Sequence, residues 1–164
     1  MWIESYMTNA EQMMFEGRVE EGLKVLNNLL YEEPGYGPLH SILGWAYMYY
    51  GDNAANAEMH FRMAMHFAPE YAPPYLHMGT LMSRARRYVE AIEQFRAGLG
   101  KPEALRCELL EGMGHAYELG GQYREAIRAY REAATASVLD YEVDRMLKSV
   151  KRCRRKRVAL FFSF

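Results

Sequence analysis

Apolar side chains recur every three or four residues through a series of short segments of this chain, with polar residues filling the intervals. That period predicts amphipathic helices over 3–16, 18–31, 38–50, 54–67, 72–85, 88–99, 103–119 and 122–136, and a last one over 140–157. The pattern is clearest from Leu110 to Ala133, where two such segments meet at Gly120-Gly121, and three weaker copies lie upstream. Gly17, Gly51, Arg86 and Gly121 separate the paired segments at intervals of 34, 35 and 35 residues. A small residue midway along each first segment (Ala10, Gly44, Gly79, Gly114) keeps the same spacing, with a larger one three positions on (Met13, Tyr47, Met82, Tyr117). In each second segment a small residue (Gly22, Ala57, Ala91, Ala126) precedes a bulky one by four (Leu26, Phe61, Phe95, Tyr130).

These positions have a common physical reading. Two helices of a hairpin cross closely only where a side chain lacks bulk, and a large apolar group one turn away fills the space beside the crossing. Glycine between the segments supplies a left-handed cap that ends the first helix. Pro34 and Pro69 close the first two hairpins, where a helix cannot continue. A hairpin this small cannot bury its own apolar face, so the copies must stack. Val143, Met146, Leu147, Val150 and Cys153 recur at helical spacing in the last segment, which reads as a capping helix over the fourth hairpin.

The pattern resembles the tetratricopeptide repeat, W-x2-L-G-x2-Y followed by A-x3-F and P. His40-x2-Leu43-Gly44-x2-Tyr47 with Ala57-x3-Phe61 and Pro69 matches nearly throughout. Leu110-x2-Met113-Gly114-x2-Tyr117 with Ala126-x3-Tyr130, and Tyr75-x2-Met78-Gly79-x2-Met82 with Ala91-x3-Phe95, follow it too. The resemblance covers about residues 3–137, as repeats 3–36, 37–71, 72–106 and 107–138, with 139–164 as capping helix and tail. The first copy departs from it, lacking the motif's aromatics and carrying Gly22 for alanine. The second has one extra residue, placed around Asn53 to Asn56, and the third has Arg86-Arg87 where Gly-Asp is usual. The resemblance implies an all-α, right-handed α-solenoid of four helical hairpins plus the capping helix.

Composition narrows the picture further. Half the residues are hydrophobic and a quarter charged, as in a globular chain, with twelve Met and thirteen Tyr suited to irregular helix contacts and adaptable binding surfaces. Residues 1–144 carry twelve Lys/Arg against twenty-one Asp/Glu, a net −9, whereas Arg145 to Phe164 holds eight Lys/Arg and no acid. An acidic body thus bears a basic tail. Cys107 and Cys153 are isolated, without zinc spacing, and fit a reducing compartment. The N-terminus lacks an apolar core of signal-peptide length, and no run approaches a membrane span, so the expected location is cytoplasmic.

In the family resembled, the first helix of each hairpin lines a concave groove in which peptides lie. By register, that face here comprises Met14 and Phe15, then Trp45, Met48 and Tyr49, then His77, Thr80 and Arg84, then Glu111, His115 and Glu118. An apolar, aromatic half and a charged half suit a peptide with hydrophobic anchors at one end. The alternative is that Trp45 and Tyr49 merely pack between hairpins. One branch of the family grips chaperone C-terminal carboxylates with Lys, Arg and Asn. The matching places are Met7, Glu11, Ile42, Pro73 and His77, or one repeat on, Ser41, Trp45, His77, Glu108 and Gly112, and neither set can clamp a carboxylate.

Glu111, His115 and Glu118 stripe one helix with Glu108 a turn before, yet no second helix offers metal ligands, so a solvated face is the expectation and no metal or cofactor is assigned. His40, His60 and His66 show no ligand spacing either. No phosphate loop, GxSxG, HExxH or catalytic Cys–His pattern occurs, which argues for a binding module over an enzyme.

The tail carries Lys148, Lys151, Arg152, Arg154, Arg155, Lys156 and Arg157, then a nearly apolar end from Val158 to Phe164. Four readings compete. The cations form a solvated face of the capping helix with Leu160 or Phe161 tucked inward, or the end enters a groove of its own or a second copy. Otherwise the tail lies on an anionic membrane with Phe161, Phe162 and Phe164 immersed, or it binds nucleic acid against the body's charge. The sequence favours a non-enzymatic adaptor or chaperone-like scaffold with an unidentified protein or peptide partner and possible homo-oligomers through open ends. A tail-attached peripheral protein and a small secretion chaperone are the alternatives.

Overall fold

The computed structural model describes residues 2–102 and 104–161, with the side chains of Leu160 and Phe161 outside that description. Among the described residues there are nine helices and no strand. They are α1 (Trp2–Phe15), α2 (Val19–Glu32), α3 (Gly37–Tyr49), α4 (Ala54–Phe67), α5 (Pro73–Arg84), α6 (Tyr88–Leu99), α7 (Arg106–Leu119), α8 (Tyr123–Ala136) and α9 (Asp140–Phe161). Bounds follow the apolar period closely except at two places. α7 starts at Arg106, after the turn at Pro102 and the non-helical Leu105 at its N-cap, and the expectation of helix at 103 lies outside the described residues. α9 runs to Phe161, past the 157 that apolar spacing suggested.

The chain forms two compact units, the first ending at Pro74 and the second beginning at Tyr75. In the first, α1 pairs with α2 and α3 with α4, and α2 packs on α3. Ile3, Met7, Ala10, Met14, Leu26, Leu29, Leu39, Leu43 and Ala46 make its main core. In the second, α6 packs on α7, α7 on α8 and α8 on α9. Its core joins Leu110, Ala126, Ile127, Tyr130 and Ala133 to Met146, Val150 and Cys153 of α9.

The small residues sit where the helices cross. A Cβ added at Gly44 would lie 2.6 Å from the Phe61 ring, at Gly79 2.5 Å from Phe95, and at Gly114 2.9 Å from Tyr130. Gly22 is as constrained, because a Cβ there would stand 2.7 Å from both the Ala10 carbonyl oxygen and Met14 Cγ. The first hairpin thus needs glycine on its second helix, where the other three have alanine.

Three hairpin turns close alike. Arg18 N–H donates to the Met13 carbonyl, Arg87 N–H to Met82 and Gln122 N–H to Tyr117, with Gly17, Arg86 and Gly121 between them at positive φ. This is the Schellman arrangement. In the second turn the left-handed residue is Asp52 (φ 42°), not Gly51, and Asn53 N–H reaches Tyr47, one residue farther. The extra residue of that repeat therefore sits at 51–52, ahead of Asn53, whose side chain caps α4 by accepting from Asn56 N–H. Arg86 holds φ +60° without glycine's freedom, a strain of about 1–2 kcal/mol.

Within α3 and α4, His40 and His60 are buried and face each other at 3.0 Å between Nδ1 atoms. His40 donates its Nε2–H to the Pro34 carbonyl (2.9 Å), which leaves its Nδ1 as acceptor for His60 Nδ1–H. Tyr47 stacks on His60 and Phe67 on His40. Burial first, then the neighbouring His40, pushes the His60 pKa down to about 4. The folded state thus binds fewer protons than the unfolded state, where His60 titrates near 6.5. Stability is therefore full above about pH 6.5 and falls as pH drops from there through 4, by as much as about 3 kcal/mol. Urea titrations across that window are expected to show the loss, and His60→Gln is expected to remove the share that His60 contributes, leaving the share of His77, whose pKa burial also pushes down to about 4.

Candidate binding surfaces

In the first unit the expected groove face separates into core and surface. Met14 and Met48 are buried, 1% and 8% exposed, so they pack the hairpins and offer nothing to a partner. Phe15 and Tyr49 are exposed and flank the half-buried Trp45, with ring centroids 5.7 and 5.8 Å from the indole. Tyr50, which register did not single out, stands edge-on to Trp45 at 5.4 Å. Trp45 therefore both packs and shows a face, because its neighbours on α1 and α3 are themselves at the surface. Four rings contributed by two helices and the residue that follows α3 make an amphipathic aromatic patch.

In the second unit, Thr80 and Arg84 of α5 and His115 of α7 line one cleft of about 510 Å³. Ser83, Arg86, Tyr88 and Leu119 complete its walls, and Phe95 and Gly112 also line it. Gly112 is required there, since a Cβ would lie 2.7 Å from the Phe95 ring. Thr80 gives its hydroxyl proton to the Leu76 carbonyl (2.9 Å). His77 lies outside this cleft, half-buried, and burial pushes its pKa down to about 4, so it is neutral near pH 7.

Glu111 and Glu118 are not a solvated stripe. Arg145 of α9 grips Glu111 through two bonds of 2.9 and 2.7 Å. Glu118, 5% exposed, receives both arms of Arg152 (2.7 and 2.6 Å), Lys156 Nζ (2.7 Å) and the Tyr130 hydroxyl (3.0 Å). Burial pushes its carboxyl up, but the bonds from Arg152, Lys156 and Tyr130 outweigh it and hold the pKa at about 2. The signal was present in the sequence. Arg145 and Arg152 follow their glutamates by 34 residues, one repeat length, and buried Ser149 follows Gly114 by 35. α9 therefore stands where the first helix of a fifth hairpin would stand.

Of the tail cations, Arg152 and Lys156 are committed to Glu118, and Lys151, Arg154, Arg155 and Arg157 are exposed without an ion pair among the described residues. Val158 is half-exposed. The expected roles of the Leu160 and Phe161 side chains, Phe162 and Phe164 lie outside the described residues. Among the described residues, no group of three His, Cys, Asp or Glu is placed to hold a metal ion, and no helix is long and apolar enough to cross a membrane.

No family model matches the sequence, and no curated protein does. Solved structures do. TTC0263, described as a thermophilic TPR protein of Thermus thermophilus, superposes with a TM-score of 0.77 at 19% identity, over 90% of this chain and 80% of that one. The chain has a tetratricopeptide-repeat fold. MamA from Desulfovibrio magneticus, residues 41 to the end, is similar at a TM-score of 0.70 and 17% identity, over 96% of this chain and 92% of that one. A tetratricopeptide-like all-α solenoid accounts for the repeat spacing, the glycine crossings and the terminal helix together.

The Glu118 cluster seals the last repeat. Glu118→Gln removes the charge that Arg152 and Lys156 share, and is expected to lower unfolding free energy by about 1–3 kcal/mol at pH 7. In the wild type that contribution is present above about pH 4.5 and is lost as pH falls through 2, a lower window than that of His60. Equilibrium denaturation of wild type and variant at pH 7 and pH 3 checks both statements.

Proposed function

We propose that this tetratricopeptide-like chain is a non-enzymatic, cytoplasmic interaction module that holds a peptide segment of another protein against the first-helix faces of its hairpins. The observation that carries this reading is the patch of Phe15, Trp45, Tyr49 and Tyr50, where three exposed rings surround the indole. Rigid rings with one wet edge bury much area at little entropic expense, which is what an anchor site for an aliphatic or aromatic side chain requires. Glu111 and Glu118 drop out of the proposed contact surface, because α9 occupies them. Arg84, Thr80 and His115 remain in it.

A tail-attached reading rests on one feature, the exposed Lys151, Arg154, Arg155 and Arg157. Truncation at 154 does not separate the two readings, since it removes Lys156 from the Glu118 cluster. Peptides selected from a displayed library on the intact chain, then measured by calorimetry, give the test. Trp45→Ala is expected to weaken them at least about tenfold. Replacing Lys151, Arg154, Arg155 and Arg157 together by Gln is expected to leave them unchanged. The reverse outcome, with steep salt dependence, would favour the tail.

A further inference from the structure

Among the three hairpin turns that close alike, the third departs from its two counterparts at one point that crossing geometry does not explain. Gly17 and Gly121 take the left-handed turn with φ +86° and +76°, whereas the third turn places Arg86 there at φ +60°. An L side chain in that conformation is strained, and residues held so against local preference gather at sites that use them. The Arg86 guanidinium makes no ion pair or hydrogen bond among the described residues, and it lines the second unit's cleft beside Arg84. His115 lines the cleft too, and among the described residues no acid does, in a body whose residues 1–144 carry a net −9. Ser83, in the same wall, has a buried hydroxyl without a hydrogen-bond partner. Tyr88, Phe95 and Leu119 supply the apolar part of the lining.

We infer that this cleft is an oxyanion subsite, taking a carboxylate or phosphate group borne next to an apolar side chain on a bound peptide. The Arg86 guanidinium, in a concavity whose described lining holds no acid, offers charge-assisted, fork-shaped donors that fit either oxyanion, Arg84 adds positive charge beside it, and the aromatic floor takes the neighbouring side chain. The cleft's roughly 510 Å³ is of the size of a ligand pocket and accommodates side chains, not a folded partner. Of the carboxylate-clamp positions considered in the sequence, only Gly112 lines this cleft among the described residues, and it brings no cation. The inference deepens the peptide-binding reading and rests on it for the nature of the ligand, although the subsite lies wholly in the second unit and the aromatic patch wholly in the first.

The test titrates the full chain, labelled with 15N, with three blocked tetrapeptides. Their common frame is leucine, a variable residue, leucine and phenylalanine, with the variable residue glutamate, phosphoserine or glutamine. The glutamate or the phosphoserine probe is expected to move the amide signals of Ser83, Gly112 and His115, and to bind at least about tenfold more tightly than the glutamine probe. Whichever of the two binds better identifies the source of the oxyanion. Arg86→Gly is expected to weaken that probe about tenfold while raising the melting temperature, because glycine relieves the strained turn. A variant that merely damaged the fold would lose both. Equal binding of charged and uncharged probes, no binding of any probe, or an Arg86→Gly variant with unchanged affinity would overturn the subsite. Those results leave Trp45-dependent binding of selected peptides intact, so failure here and failure of the peptide-binding reading are told apart.

Discussion

Every hairpin of this chain depends on how closely two helix backbones approach, and the chain varies one pair of residues to set that approach. Where the crossing residue is glycine, at 44, 79 and 114, the space is filled by a ring from the partner helix, Phe61, Phe95 or Tyr130. Where it is alanine, at 10, the bulky position holds Leu26 and the partner helix gives up its own side chain at Gly22. Added volume on one side is matched by volume removed on the other, as a close-packed interior demands. Stacking follows, since Phe95 also fills the space over Gly112 and so ties the third hairpin to the fourth.

A second constraint acts at the end of the chain. The last hairpin would expose the face that an onward repeat normally covers, and α9 covers it with Met146, Val150 and Cys153. Arg145, Arg152 and Lys156 then satisfy carboxylates that the same packing takes from water. Glu118 is tolerated at 5% exposure only because three donors meet it. The same ion pairs engage Glu118 and half-buried Glu111 within the chain, which leaves the Trp45 patch and the Arg84–Arg86 cleft as the proposed contact surfaces. Strain at Arg86 and exposed rings at Phe15 and Tyr49 are local departures from what folding alone favours, and they fall on those two surfaces.

Much of the fold was legible because a single period runs through glycine, alanine and aromatic positions alike. The helix pairs, the crossings and the capping helix were read from residues such as Gly44, Phe61 and Val150. Single positions on a face were harder. Register places Met14 beside Phe15 and Met48 beside Tyr49, yet a helix turns 100° per residue, so one of each pair points inward. Glu118 was misread as solvated because its partners lie 34 and 38 residues ahead, outside any local pattern. The cleft around Arg86 had a sequence trace only in the missing glycine, since its walls come from three helices and one turn.

The volume exchange at the crossings is tested most directly by a double-mutant cycle at Gly44 and Phe61, read by equilibrium denaturation. Gly44→Ala alone brings a Cβ against the Phe61 ring and is expected to destabilise by about 1–3 kcal/mol. In the presence of Phe61→Leu, which reproduces the alanine and leucine of the first hairpin while Ala57 stays where that hairpin has Gly22, the same change is expected to cost at least about 1 kcal/mol less. Additivity of the two substitutions within about 0.5 kcal/mol would contradict the account.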